Sequence, residues 1–265
     1  MKVTWKVLIP TLVTVSAFIF GFLAILEVAK ETPNYLLAAK YIMLSMLLDG
    51  LDGNLARWLK ASSPFGAEMD TYVDLISFGV APALLAYCTV LKDFEAFGLM
   101  LATAMVLSGM LRLARFKVVD PFRGQQGFLG LPITVNAGFL ASVFYLVESR
   151  EVVGLDFLRE GWGGMLVWSC SLLMILLQVS HVHYPKPSKN WMFFLPSAGL
   201  VCSLFLGGVP GLVGASMMVA YGLYYAFMCP LLPREAAAMP LVEDEGDMAR
   251  EEDEEEAPAR PWRRP

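Results

Sequence analysis

A chain of 265 residues with 57% hydrophobic and 17% charged residues, at a mean hydropathy of +0.57, is too apolar for an ordinary soluble domain. Its net charge of −5 resides in one segment: residues 234–265 contribute −6 and the remainder +1, so no basic surface suited to nucleic acid is present. The four cysteines, Cys88, Cys170, Cys202 and Cys229, stand singly in apolar stretches, which argues against a Cys-paired metal site and for burial in the membrane.

In chain order, segments 7–26, 75–91, 128–147, 161–180 and 190–233 contain no Asp, Glu, Lys or Arg. Apolar runs of about 18 residues read as membrane helices. The last run is long enough for two, with a turn at Gly207-Gly208-Val209-Pro210-Gly211. The pattern predicts an all-α, polytopic membrane helix bundle of about eight transmembrane helices, near 7–28, 35–60, 66–91, 96–117, 128–147, 161–181, 190–206 and 211–232. The first of these follows Lys2 and Lys6 but is longer than a signal core and lacks a clear small-residue cleavage site, so it reads as a retained helix. The expected organisation is a membrane domain over 1–233 and an acidic, disordered cytoplasmic tail over 234–265.

Lys and Arg set the expected orientation. With the N-terminus inside, cytoplasmic segments carry eleven basic residues, Arg57, Lys60, Arg112, Arg115 and Lys117 among them, against five outside. Both termini are then cytoplasmic. No internal repeat is evident, unlike many transporters.

Two segments break the apolar pattern. Span 35–60 carries Asp49, Asp52 and Arg57, and the next helix carries Asp70 and Asp74 near its start. Positions 49, 52, 53 and 56 share one helical face, as do 66, 70 and 74. Ser63-Pro64 suits a helix start, so two adjacent antiparallel helices bring the four acids together beside the small residues Gly53, Ala56 and Gly66. Charged carboxylates at membrane depth are costly and demand neutralisation. Hard oxygen donors without His or Cys select Mg²⁺ or Mn²⁺, and such ions suit displacement at a pyrophosphate. Arg57 is placed to hold a phosphate. With Lys60 only eight residues beyond Asp52, the site falls near the cytoplasmic headgroup region, about 12 Å along the helix.

The spacing D-x2-D-G-x2-A-R-x8-G-x3-D-x3-D resembles the signature of the CDP-alcohol phosphatidyltransferases, and Asp49, Asp52, Gly53, Ala56, Arg57, Gly66, Asp70 and Asp74 occupy all eight positions. The resemblance implies two bound divalent ions held by Asp49, Asp52 and Asp70, with Asp74 as catalytic base and a further metal contact. It implies contact of Gly53, Ala56, Arg57 and Gly66 with the CDP moiety. Glu68-Met69-Asp70, Ser77-Phe78-Gly79-Val80-Ala81-Pro82, Arg112-Leu113-Ala114-Arg115-Phe116, Gly127-Phe128-Leu129-Gly130-Leu131-Pro132, and Ser180 followed by Tyr184-Pro185 resemble the phosphatidylserine synthase branch. That branch implies CDP-diacylglycerol and L-serine as substrates, phosphatidylserine and CMP as products, a homodimer among membrane lipids, and a prokaryotic cytoplasmic membrane with the active site facing the cytoplasm. Arg112, Arg115, Ser180 and Tyr184 are the candidates for headgroup or acceptor binding. Lys117, Thr134, Asn136 and His183 depart from the branch pattern.

Blander readings stand beside these. Arg112 and Arg115 also suit snorkelling at a helix end, Tyr184 suits an interfacial aromatic, and His181 and His183 do not share a helical face. Transfer to glycerol 3-phosphate, inositol phosphate or an amino alcohol is the alternative within the same chemistry. A divalent-ion transporter would explain the aspartates but not the spacing of Gly53, Ala56, Arg57 and Gly66.

Overall fold

The computed structural model describes residues 5–61, 63–118, 127–149, 161–184 and 191–228. The acidic segment 234–265, Cys229 and the basic residues Lys2, Arg123, Arg150, Arg159, Lys186, Lys189 and Arg234 lie outside the described residues.

Apolar runs punctuated by polar caps fold here as helices: α1 (Trp5–Ala29), α2 (Tyr35–Trp58), α3 (Pro64–Asp74), α4 (Ala81–Thr89), α5 (Glu95–Val118), α6 (Ile133–Glu148), α7 (Gly161–Val179), α8 (Trp191–Leu206) and α9 (Gly208–Leu223). A π-helical stretch, Leu75–Val80, joins α3 to α4 as one rod, and a second, Tyr224–Met228, extends α9. Asn34 caps α2, its Oδ1 accepting from the Leu37 amide at 2.9 Å. Ser63 caps α3 by accepting from the Gly66 amide at 3.1 Å, with Pro64 in the first turn. β1 (Phe128–Leu129) and β2 (His183–Tyr184) form a short antiparallel ladder with Phe128 opposite Tyr184 and Leu129 opposite His183.

Four helices among the described residues are long and apolar enough to cross a membrane: Leu8–Ala29, Pro64–Thr89, Leu91–Val118 and Gly208–Met228. Ile133–Glu148, Gly163–Val179 and Leu195–Leu206 are apolar but shorter. Sixteen residues rise about 24 Å, short of a ~30 Å hydrocarbon core. In α2 the ionisable side chains Lys40, Asp49, Asp52 and Arg57 break the apolar character. The segments anticipated from the sequence are largely helical, and four of them meet the length and hydropathy of a crossing among the described residues.

Close packing without water relies on small residues. Ala17, Ala24, Ala38 and Ala39 are buried where α1 lies along α2, and Ser45 Oγ donates to the Ala17 carbonyl at 2.7 Å. A Cβ built on Gly21 would fall 2.0 Å from Ser77 Oγ, so α1 also lies hard against the π-helical stretch. Central α6 buries eleven residues, including Leu140 and Phe144, as expected for a helix apolar on every side. The cysteines Cys88 and Cys170 are half-buried and Cys202 is exposed, all as free thiols, so they lie on helix surfaces and not in the packed interior.

Candidate active site

Helix α2 runs toward Trp58, the chain turns through Lys60 at φ 50°, and α3 returns antiparallel from Pro64. This reversal places the last turns of α2 beside α3. One carboxylate oxygen from each of Asp49, Asp70 and Asp74 lies within 4.8 Å of the other two. Asp52, one helical turn beyond Asp49, is 5% exposed.

These acids line a cavity of about 740 Å³. All eight residues of the D-x2-D-G-x2-A-R-x8-G-x3-D-x3-D pattern, Asp49, Asp52, Gly53, Ala56, Arg57, Gly66, Asp70 and Asp74, border it. A Cβ on Gly53 would meet only Arg57 Nη1 at 3.8 Å, whereas one on Gly66 would crowd the capping Ser63 Oγ at 3.1 Å and nothing else. What these glycines keep clear is therefore the cavity, since neither has another helix packed on its Cα. Arg57 is exposed at the rim, where its Nη2 donates to Asn54 Oδ1 at 2.7 Å.

The opposite wall comes from α5 and β1. Arg112 is 7% exposed, with its guanidinium 5.8 Å from the Phe116 ring and 5.4 Å from the Phe128 ring. Its charge acts on Asp74. Lys117, on the same helix, lines the cavity and pairs with Glu68 of α3 at 2.6 Å, and its charge acts on Asp70. Thr134, at the start of α6, borders the cavity as well. Two of the departures from the branch pattern, Lys117 and Thr134, thus face the site.

Helix α1 supplies a third wall through Pro10, Thr11 and Thr14. Thr14 is 8% exposed and stands beside Asp52, its hydroxyl donating to the Pro10 carbonyl at 3.1 Å. Sequence reasoning missed these residues because no local spacing links positions 10–14 to the aspartates. The only signal was Pro10, Thr11 and Thr14 close together in a mainly apolar span.

Arg115, Ser180 and Tyr184 are placed elsewhere. Arg115 donates to the carbonyls of Val179 at 2.8 Å, Leu129 at 2.9 Å and Ser180 at 2.8 Å, closing the end of α7 onto β1. Ser180 Oγ donates to the Leu177 carbonyl at 2.8 Å. Tyr184 is fully buried, donates to the Ala226 carbonyl at 3.1 Å and stacks on Tyr225. None of the three borders the cavity, so of the acceptor-binding candidates only Arg112 reaches it. His181 and His183 join no cluster of metal-ligating groups among the described residues.

The donor set fits a hard divalent cation. It consists of carboxylates without Cys or His. Asp52 Oδ2 and Asp74 Oδ1 are buried without a hydrogen-bond donor, an arrangement that costs free energy unless a cation answers it. Asp49, Asp70 and Asp74 are near enough to share one ion, and Asp52 extends the same wall.

On the two helices that carry the aspartates, Trp58 of α2 and Phe65 and Tyr72 of α3 are 72%, 64% and 65% exposed, large aromatics of the kind that seat at a membrane interface. Together with the four apolar spans this marks an integral membrane protein.

Comparison with known proteins agrees with this geometry. The family model for CDP-alcohol phosphatidyltransferase matches residues 7–182. A CDP-diacylglycerol–serine O-phosphatidyltransferase of Helicobacter pylori is 34% identical over 182 residues, 69% of this chain and 73% of its own length. One from Methanocaldococcus jannaschii is 35% identical over 200 residues, 75% of this chain and 83% of its own. An archaetidylserine synthase of Methanothermobacter thermautotrophicus is 35% identical over 187 residues, covering 70% and 72%. With a cavity bordered by the whole signature and a family match over most of its length, this chain belongs to the CDP-alcohol phosphatidyltransferase family.

Proposed function

We propose that the protein transfers a phosphatidyl group from CDP-diacylglycerol to L-serine, giving phosphatidylserine and CMP. The observation that carries this reading is the convergence of all eight signature residues on one cavity, with three carboxylates within 4.8 Å of one another. The serine acceptor is supported by the names of the relatives from Helicobacter pylori and Methanocaldococcus jannaschii.

In this reading Asp49, Asp52, Asp70 and Asp74 would hold two Mg²⁺ or Mn²⁺ ions, with Asp74 in the close trio with Asp49 and Asp70. When bound, such ions offset charge on the pyrophosphate and on the departing nucleotide. The chain's own groups do the rest. Gly53, Ala56 and Gly66 leave room for the nucleotide against the helix backbones, and Arg57 at the rim holds phosphate. Asp74 takes the proton from the serine hydroxyl as its oxygen forms a bond to the diacylglycerol-linked phosphorus. The bond from that phosphorus to the CMP oxygen breaks, and CMP leaves as the anion. Arg112, buried between two rings beside Asp74, receives the carboxylate of serine and excludes acceptors lacking one. Two copies associate in a cytoplasmic membrane with the cavity facing the cytoplasm, and 234–265 is a separate solvated tail.

The decisive experiment is CMP release by the purified full-length protein with CDP-diacylglycerol and Mn²⁺ or Mg²⁺, comparing serine with glycerol 3-phosphate, inositol phosphate and ethanolamine. Serine-dependent release is expected. Release with another alcohol alone would keep the cavity chemistry and overturn the acceptor, and metal flux into liposomes without CMP release would overturn the enzyme reading.

A further inference from the structure

Arg57 is the cation that α2 brings to the acidic cavity, and it stands exposed in the last turn of that helix. An exposed arginine ordinarily keeps most of its rotamer freedom, which a ligand must remove on binding. Here the side chain is already held. Its Nη2 donates to Asn54 Oδ1 at 2.7 Å, and Asn54 Nδ2 in turn donates to the Gly50 carbonyl at 2.8 Å. The Asn54 amide thus bridges a backbone acceptor four residues behind it and a guanidinium three residues ahead. These two partners leave the amide one orientation, because only its oxygen accepts and only its nitrogen donates.

The relay gives the guanidinium a direction. Its Nη1 lies 3.8 Å from where a Cβ on Gly53 would stand, so the fork is laid back along α2 over a glycine that borders the cavity. Its charge acts on Asp52 from there. Asn54 itself does not border the cavity. Both of its hydrogen bonds stay within α2, so they dock no helix on another, and asparagine is a poor residue for a helix interior. The neutral amide also matters. An aspartate at this position would tether the same fork, but it would pair with the charge and set a carboxylate beside an incoming phosphate. The amide occupies one N–H and leaves the full charge and the remaining donors for an anion.

We propose that Asn54 is a positioning residue that holds the Arg57 guanidinium over Gly53, ready to meet a phosphate of the nucleotide lipid; this rests on the reading of the cavity as the CDP-diacylglycerol site. CMP release by the full-length protein in mixed micelles tests it, with serine as acceptor, CDP-diacylglycerol varied, and thermal melting of the same preparations. Asn54→Ala raises KM for CDP-diacylglycerol about two- to tenfold, the worth of ordering one long side chain. Its kcat changes less than its KM, and it melts at or above the wild-type temperature. Asn54→Asp raises KM at least as far, although it keeps a tether, because it consumes the charge. Arg57→Gln raises KM by itself, and adding Asn54→Ala to it causes no further rise, since Asn54 acts through Arg57. An unchanged KM in Asn54→Ala, or a second multiplicative rise in the Arg57→Gln background, overturns the positioning role and leaves the transfer reading standing. A lowered melting temperature with KM unchanged and kcat reduced shows helix support and overturns it equally. Absence of serine-dependent CMP release by the folded wild type overturns the transfer reading itself, and the proposal with it.

Discussion

Gly53 contributes by what it lacks. A helix interior gains about 0.5–1 kcal/mol from alanine in place of glycine, and nothing in the protein lies closer than 3.8 Å to the added carbon. Gly53→Ala is therefore expected to melt at or slightly above the wild-type temperature while its KM for CDP-diacylglycerol rises several-fold; a matching loss of stability would show a packing role instead. Asp74 belongs to the opposite class, a side chain whose chemistry is irreplaceable. Asp74→Asn keeps the shape and removes the proposed base, so CMP release should fall about 10²–10⁴-fold with the thermal transition intact. Arg115, one helical turn beyond Arg112, works away from the substrate. Its three carbonyl contacts at 2.8–2.9 Å tie α5 to α7 and β1, and each hydrogen bond from a charged group is worth about 1.5–3 kcal/mol. Arg115→Gln should lower the melting temperature in detergent, with KM for serine changed less than in Arg112→Gln.

Among the elements, the α2–α3 pair was legible from sequence in nearly every particular. Its helical spacing, the Ser63-Pro64 start and the shared face of 49, 52, 53 and 56 all follow from residues close together in the chain. The wall from α1 was not legible, because Thr14 meets Asp52 through tertiary docking alone. Single residue types were also ambiguous: Arg112 and Arg115 look alike in sequence, yet one faces a cavity and the other three carbonyls. Helix lengths were less legible, since charge-free runs do not reveal that α6 and α8 have only 16 residues each. The docking of α1 is nonetheless specified, at Gly21. Gly21→Ala would drive a carbon to 2.0 Å from Ser77 Oγ in the π-helical stretch that begins right after Asp74. Overpacking of this kind costs about 1–3 kcal/mol, and the same variant should lose turnover, because the strained contact adjoins the proposed base.

For the whole molecule, the two ends of the bundle differ in chemistry: an acidic cavity at one, a lysine-bearing cavity at the other. With the acidic end cytoplasmic, an impermeant thiol reagent applied to intact cells should modify Thr32→Cys in a cysteine-free background, and reach Ala61→Cys only after permeabilisation. The reverse pattern would invert the proposed orientation. The exposed aromatics of α2 and α3 have a kinetic consequence. If Trp58, Phe65 and Tyr72 seat the helices that carry the aspartates among headgroups, the lipid substrate arrives sideways, in two dimensions, with its acyl chains never leaving the bilayer. Saturation then follows the mole fraction of CDP-diacylglycerol in the surface and not its bulk molarity, so adding inert lipid or detergent at fixed substrate and enzyme would slow turnover by dilution of the surface alone.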